Sequence, residues 1–116
     1  MIHKTNWTGI WLNDQAGNLT YQINGNQITI TFPKVLAKGE MAGNIINTVA
    51  LPQIIWPSDY RYSQLRVQVN GSLNINWGCV QIDPTGFLGI GIDANWQSFD
   101  TTAIAGFFSQ SIVYTL

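Results

Sequence analysis

Charge is what this sequence has least of. Asp, Glu, Lys and Arg make up 9% of its 116 residues and the formal net charge is -1, against roughly 25% charged residues in an average globular chain. Its five basic residues are scattered, so no basic patch draws a phosphate backbone or an anionic lipid surface, and nucleic acid is not an expected partner. The lone Cys79 rules out an internal disulfide framework. Lying between Trp77 and Val80 in an apolar stretch, it reads as a buried, inert thiol. No apolar run approaches the ~18 residues of a membrane span, so membrane insertion is not expected. The opening Met-Ile-His-Lys-Thr-Asn-Trp-Thr lacks the apolar centre of a secretory signal, which leaves lysis or assembly into a particle as the route to any extracellular role.

Catalytic equipment is equally sparse. The only histidine is His3, near a terminus, and the only glutamate is Glu40, in a Gly-rich segment that reads as solvated surface. Asp14, Asp59, Asp83, Asp93 and Asp100 all fall in loop-like stretches. A glycosidase needs two carboxylates about 5 to 9.5 Å apart, and these positions leave such a pair open, although Asp14 and Asp83 stand where turns favour Asp. Asp93-Ala94-Asn95 has the start of a calcium loop without its remaining ligands or distal Glu, so no metal is expected. No phosphate loop or nucleotide fingerprint is present, and no cofactor is implied. Asn6, Asn18 and Asn70 each begin a glycosylation-type triplet, a chance match in a chain with eleven Asn and ten Thr and no export signal.

What is present is strand pattern. The length suits one domain, 1–116, able to remove roughly two-thirds of its unfolded surface from water. Trp7 to Leu12 reads as a short strand, and Asn13 to Asn18 as a loop by its turn residues. Leu19, Tyr21 and Ile23 alternate with Thr20 and Gln22, and Asn24-Gly25 signals a hairpin. The return strand sends Ile28, Ile30 and Phe32 inward and ends at Pro33. Lys34 to Asn44 reads as a loop with room for a short helical piece, and Ile45 to Leu51 is β-like. Pro52 and Pro57 bracket an irregular segment. Leu65, Val67 and Val69 then alternate towards an Asn70-Gly71 turn. Leu73, Ile75 and Trp77 continue that alternation, and the parity shift at Val80 and Ile82 predicts a β-bulge near Gly78-Cys79. Asp83-Pro84-Thr85-Gly86 is a turn.

Leu88, Ile90 and Ile92 alternate with Phe87, Gly89 and Gly91, the two glycines leaving a bare face for a bulky side chain or another backbone. Asp93 to Ala105 reads as a polar loop. The last eleven residues, Gly106 to Leu116, read as one strand, charge-free and held in the sheet, whose covered face carries Phe108, Ile112 and Tyr114. About eight short strands with turn signals between them and no amphipathic helix specify an all-β fold, a single antiparallel β-sandwich of jelly-roll type.

Five Trp, four Tyr and five Phe are the other conspicuous feature. Trp77, Phe32, Phe108 and Tyr114 are expected in the core. Trp56 and Trp96 lie in loops with polar neighbours: Asp59, Tyr60 and Arg61 follow the first, and Asp93 and Asn95 precede the second. An aromatic face beside a carboxylate, an amide and a guanidinium suits a sugar, whose C–H face packs on the ring while polar groups take its hydroxyls. It suits a subunit interface equally well, and the two readings stand side by side.

The order of these features resembles the C-terminal receptor-binding head domain of bacteriophage tail fibres and baseplate proteins. The resemblance rests on a Trp-containing first strand, on Tyr21 to Ile30 (Tyr-Gln-Ile-Asn-Gly-Asn-Gln-Ile-Thr-Ile) and on Leu51-Pro52 with Tyr60-Arg61. Asp83 to Ile92 and the closing Ser111 to Thr115 complete it. It spans nearly the whole chain as a pattern of strands and turns, without a catalytic signature. The segment Gln53 to Asp59 lengthens the usual Leu-Pro-x-x-Tyr-Arg-Pro, and no Pro follows Arg61. Met1 falls at the domain's start, with no shaft before it, as in an excised tip or a small stand-alone subunit. The resemblance implies a non-catalytic homotrimer at the virion tail tip, joined to other tail proteins and attaching to host cell-surface saccharide from outside the cell. Trp56, Asp59, Tyr60, Arg61, Asp93, Asn95 and Trp96 are the candidate ligand-binding residues. A purely structural virion subunit and a hydrolase of surface polysaccharide are the competing readings.

Overall fold

The computed structural model describes residues 2–8, 16–38, 50–73, 77–97 and 104–116. Its strands are β1 (Ile2–Thr8), β2 (Ala16–Asn24), β3 (Gln27–Phe32), β4 (Val35–Lys38), β5 (Arg61–Leu65), β6 (Val67–Val69), β7 (Ser72–Leu73), β8 (Gly78–Ile82), β9 (Leu88–Gly91), β10 (Ile104–Phe107) and β11 (Gln110–Thr115), with a 3-10 turn at Gln53–Ile55. They form three sheets, ordered β1-β2-β3-β11, β9-β8-β5 and β4-β10-β6-β7. Every pairing is antiparallel. The architecture is an antiparallel β-sandwich, as the alternation predicts.

Local turn chemistry sets the hairpins. Gly25 takes φ +64° between β2 and β3, and Asn70 and Gly71 take φ 51° and 83° between β6 and β7. Two successive positive φ values are the geometry that Asn-Gly favours in a two-residue hairpin loop. At the next turn Asp83 Oδ1 accepts from the backbone N–H of Thr85 at 2.8 Å and of Phe87 at 3.0 Å. β3 buries Ile28, Ile30 and Phe32 and turns Gln27 and Thr31 to solvent. Leu65, Val80, Ile82, Leu88 and Ile90 face them from the three-stranded sheet, and Val67 and Phe107 from the third. The rings of Phe32 and Phe107 meet edge to face across the core, 5.3 Å between centroids.

Several expectations are corrected. The described residues form eleven strands where about eight were expected, because three runs that read as single strands (65–69, 73–82 and 106–116) each break and change sheet and Val35–Lys38 adds a further strand. Leu65 ends β5 in one sheet and Val67 begins β6 in another, with Arg66 between them. The final run divides likewise: β10 ends at Phe107 and β11 begins at Gln110. The break lets Phe107 be buried along with Ile112 and Tyr114 although their parity differs, and leaves Phe108 half-buried. No bulge is needed near Gly78, since the register of β8 on β5 runs unbroken from Leu65↔Gly78 to Arg61↔Ile82. The parity shift arises because β7 and β8 belong to different sheets.

Val35–Lys38 is a strand paired with β10 rather than loop or helix. Ala16 to Asn18 belong to β2, not to a loop, and Ile104 and Ala105 to β10. The expected strand residues 9–12 and 45–49, together with Glu40, Phe99 and Asp100, lie outside the described residues.

One carboxamide serves both breaks. Gln110 Oε1 accepts from the Arg66 N–H at 2.7 Å, and its Nε2 donates to Arg66 O at 2.8 Å and Phe108 O at 2.9 Å. A side chain thus supplies the backbone partners that a strand would otherwise give at the crossing. The end of β11 is held by Arg61, whose Nε donates to Thr115 O at 2.8 Å and whose guanidinium also reaches Leu116 O at 3.2 Å. The buried Tyr114 hydroxyl donates to Ile55 O at 2.6 Å.

Gln110→Ala, which leaves both backbone groups of Arg66 without these partners, should cost about 1–3 kcal/mol in urea unfolding; an unchanged midpoint would contradict the role assigned to the carboxamide. Burial pushes the Tyr114 phenol above its usual value of 10.0. The native state therefore holds this proton more tightly than the unfolded chain does. Its contribution to stability is full below about pH 10 and is lost as pH rises beyond it. Tyr114→Phe should remove that part of the alkaline decline in stability, and an identical decline in both proteins would refute the assignment.

Candidate functional site

A groove lies on the outer face of the three-stranded sheet. β5 directs Tyr62 and Gln64 outward, opposite Gln81 and Cys79 of β8. Tyr62, Ser63, Gln64, Trp77, Gly78, Cys79 and Ala94 line a hollow of about 230 Å³. A second hollow of about 290 Å³, lined by Gln64, Trp77, Asp93, Ala94 and Asn95, shares three of those residues and extends the first. Its polar groups are largely neutral amides, Gln64 and Asn95. Trp77 is 46% exposed and Tyr62 60%, so the groove carries two accessible aromatic rings.

The loop 93–97 forms one wall. Asp93 Oδ1 accepts from the backbone N–H of Asn95 at 3.0 Å and of Gln97 at 3.2 Å, and Trp96 N–H donates to Asp93 O at 3.1 Å. Trp96 has φ +61°, uncommon for a bulky side chain and of the kind that costs about 1–3 kcal/mol. Its ring meets Tyr62 edge to face with centroids 6.5 Å apart, and its backbone crosses closely over Gly91. A Cβ at Gly91 would lie 2.9 Å from Trp96 Cα. The bare glycine face is therefore covered, at Gly91, from within the chain.

Of the seven candidate residues, Asp93 and Asn95 line the groove, and Trp96 supports it through Tyr62. The other four do not line it. Trp56 is half-buried: its Nε1–H donates to Leu51 O at 2.6 Å, and its indole lies against Gly86 where any Cβ would collide with it. The Leu51 N–H donates to Gly86 O at 2.9 Å, so this tryptophan locks the 51–56 segment to the Asp83 turn. Arg61 is engaged with Thr115, Leu116, Tyr60 O and Ser58 Oγ. Asp59 is exposed and accepts from the N–H of Tyr60, which is exposed too.

Trp77, expected in the core, is a correction. It stands just before β8, where the alternation of the preceding sheet no longer applies. Cys79 is half-buried rather than buried; burial pushes its thiol up, which keeps it protonated and poorly nucleophilic at neutral pH. Sequence reasoning missed Tyr62, Gln64 and Trp77 as groove residues. The signal for the first two was available: they share a parity opposite to the inward Leu65.

Among the described residues no group of three or more His, Cys, Asp or Glu side chains is placed to hold a metal ion, and no helix is long and apolar enough to cross a membrane.

No family model matches the chain, and no curated protein matches it in sequence. Among solved structures it is similar to the head domain of phage bIL170, whose crystal structure was described in relation to a common fold for the receptor-binding domains of lactococcal phages. The TM-score is 0.60 at 17% identity, covering 100% of this chain and 99% of that one. The shared property is the fold, that of a phage receptor-binding head domain.

Gly91→Ala should force the 93–97 wall outward, because the new methyl meets backbone that cannot rotate away; a loss of about 1–3 kcal/mol is expected. The check is chemical denaturation together with the amide resonances of Asn95 to Gln97. Wild-type stability with unmoved resonances would show that the approach is looser than described.

Proposed function

We propose that this chain is a single-domain receptor-binding head of a phage tail fibre or baseplate, which attaches the virion to host cell-surface saccharide without catalysis. The observation that carries this reading is the pair of accessible rings, Trp77 and Tyr62, set beside Gln64 and Asn95 in a groove on a head-domain fold. A sugar presents an apolar C–H face and a rim of hydroxyls. Rings provide the first contact and amides, which both donate and accept, provide the second. Trp77, Tyr62, Gln64, Asp93 and Asn95 form the proposed ligand site, and Trp96 supports it. Asp83 and Asp93 each hold a turn through Oδ1, which favours binding over hydrolysis.

A homotrimer attached to other tail proteins fits the same reading. The outer face of β2, β3 and β11 carries Gln22, Asn24, Gln27, Thr31, Ser111, Val113 and Thr115, all exposed and all uncharged. A subunit contact across this face would desolvate no ion. Three weak sites on one particle would then act together, and the protein would work outside the cell, at the tail tip.

The test is binding of fluorescently labelled protein to intact lactococcal cells and to polysaccharide extracted from their walls, with light scattering for the oligomer. Trp77→Ala should weaken binding about tenfold or more, the scale of losing an aromatic anchor, while leaving the melting temperature nearly unchanged. Trp56→Ala should do the reverse and lower stability. A trimer that binds neither cells nor polysaccharide would favour the structural virion subunit. Release of oligosaccharide, lost in Asp59→Asn or Asp93→Asn, would favour the hydrolase.

A further inference from the structure

We propose that Arg66 is a positioning residue for the groove: Gln110 fixes its backbone, and its guanidinium fixes the Trp77 indole in the orientation that meets the ligand. The inference rests on the functional reading above and names the device that makes the site rigid.

Arg66 occupies the break between β5 and β6. A residue passing between sheets has no regular ladder partner, and its side chain would ordinarily follow a mobile backbone. Here the Gln110 carboxamide bonds both its N–H, at 2.7 Å, and its C=O, at 2.8 Å, and the Phe108 N–H adds a longer contact to the same oxygen at 3.4 Å. The half-buried Arg66 is thereby held at both backbone groups. Its guanidinium carbon stands 4.4 Å from the centroid of the Trp77 ring, within the range of a cation–π contact.

Trp77 needs such a hold. It is outside any strand, immediately before β8, and its ring is nearly half exposed. The guanidinium stands over the indole, and the same side chain, exposed to 46%, lines the groove. Fixing the ring before the ligand arrives removes an ordering cost from the binding step. A guanidinium suits this task better than an ammonium, because its plane stacks on the ring and is less strongly hydrated.

A direct contact between Arg66 and the ligand would also weaken binding when lost, so the decisive readout is taken without ligand. In the free protein, the indole N–H resonance of Trp77 is identified by its absence in Trp77→Phe. Arg66→Met, which keeps the stem and loses the cation, should shift and broaden that resonance. Its binding to intact lactococcal cells should be weaker by on the order of fivefold, with little change in melting temperature. Arg66→Lys should restore both properties in part. An unmoved Trp77 resonance in Arg66→Met would overturn the proposal, as would a moved resonance with undiminished cell binding. If wild-type protein binds cells and Trp77→Ala does not, while Arg66→Met binds normally, this inference alone fails. Wild-type protein that binds no cells overturns the functional reading and this inference with it.

Discussion

A side chain standing in for a strand holds this sandwich together where its sheets meet. The chain changes sheet at Arg66 and again at Phe108 and Ser109, and both crossings meet at the Gln110 carboxamide. Backbone groups that leave a ladder must find partners or be costly in a partly buried setting. One amide, with an acceptor at one end and two donors at the other, serves three of them. The packing follows from this. With the crossing fixed, Phe107 and Ile112 can both face the core, and Leu65 and Val67 can fill two different sheets.

The last strand is tied in at several further points. Arg61 gathers the carbonyls of Thr115 and Leu116, the Leu116 N–H returns to Asn26 O at 2.9 Å, and Tyr114 reaches Ile55. Through Ile55 and Trp56 these bonds continue to Leu51, Gly86 and the Asp83 turn. Trp56 and Arg61 thus each tie one part of the fold to another, the first joining Leu51 to the Asp83 turn and the second holding the end of β11.

Short-range structure was legible in the sequence and long-range structure was not. Gly25, Asn70-Gly71 and Asp83 to Gly86 determine their turns through their own φ preferences and side-chain bonds, the first hairpin loop being Gly25-Asn26 with Asn24 paired in β2. The inward set of β3 follows from strict alternation. Alternation assumes that the strand continues, however, and nothing local marks Arg66 or Phe108 as the place where it stops. The same assumption, carried from Leu73 across the change of sheet between β7 and β8, placed Trp77 in the core rather than at the surface. Asp93 and Asn95 were readable as groove residues because the turn that presents them is local. The contact of Arg66 with Trp77 depends on a sheet crossing and left no mark in the spacing.

The 93–97 wall has a further meaning for how such a surface changes over generations. Its backbone is set by the Asp93 carboxylate, by the left-handed Trp96 and by the close approach to Gly91. Ala94 and Asn95, exposed between those fixed points, contribute side chains to the groove without holding its shape. Frame and contact surface are therefore encoded by different residues of one short loop. On the proposed reading, a virus could exchange positions 94 and 95 freely and explore new hosts, while the positions beside them stay bound to the fold.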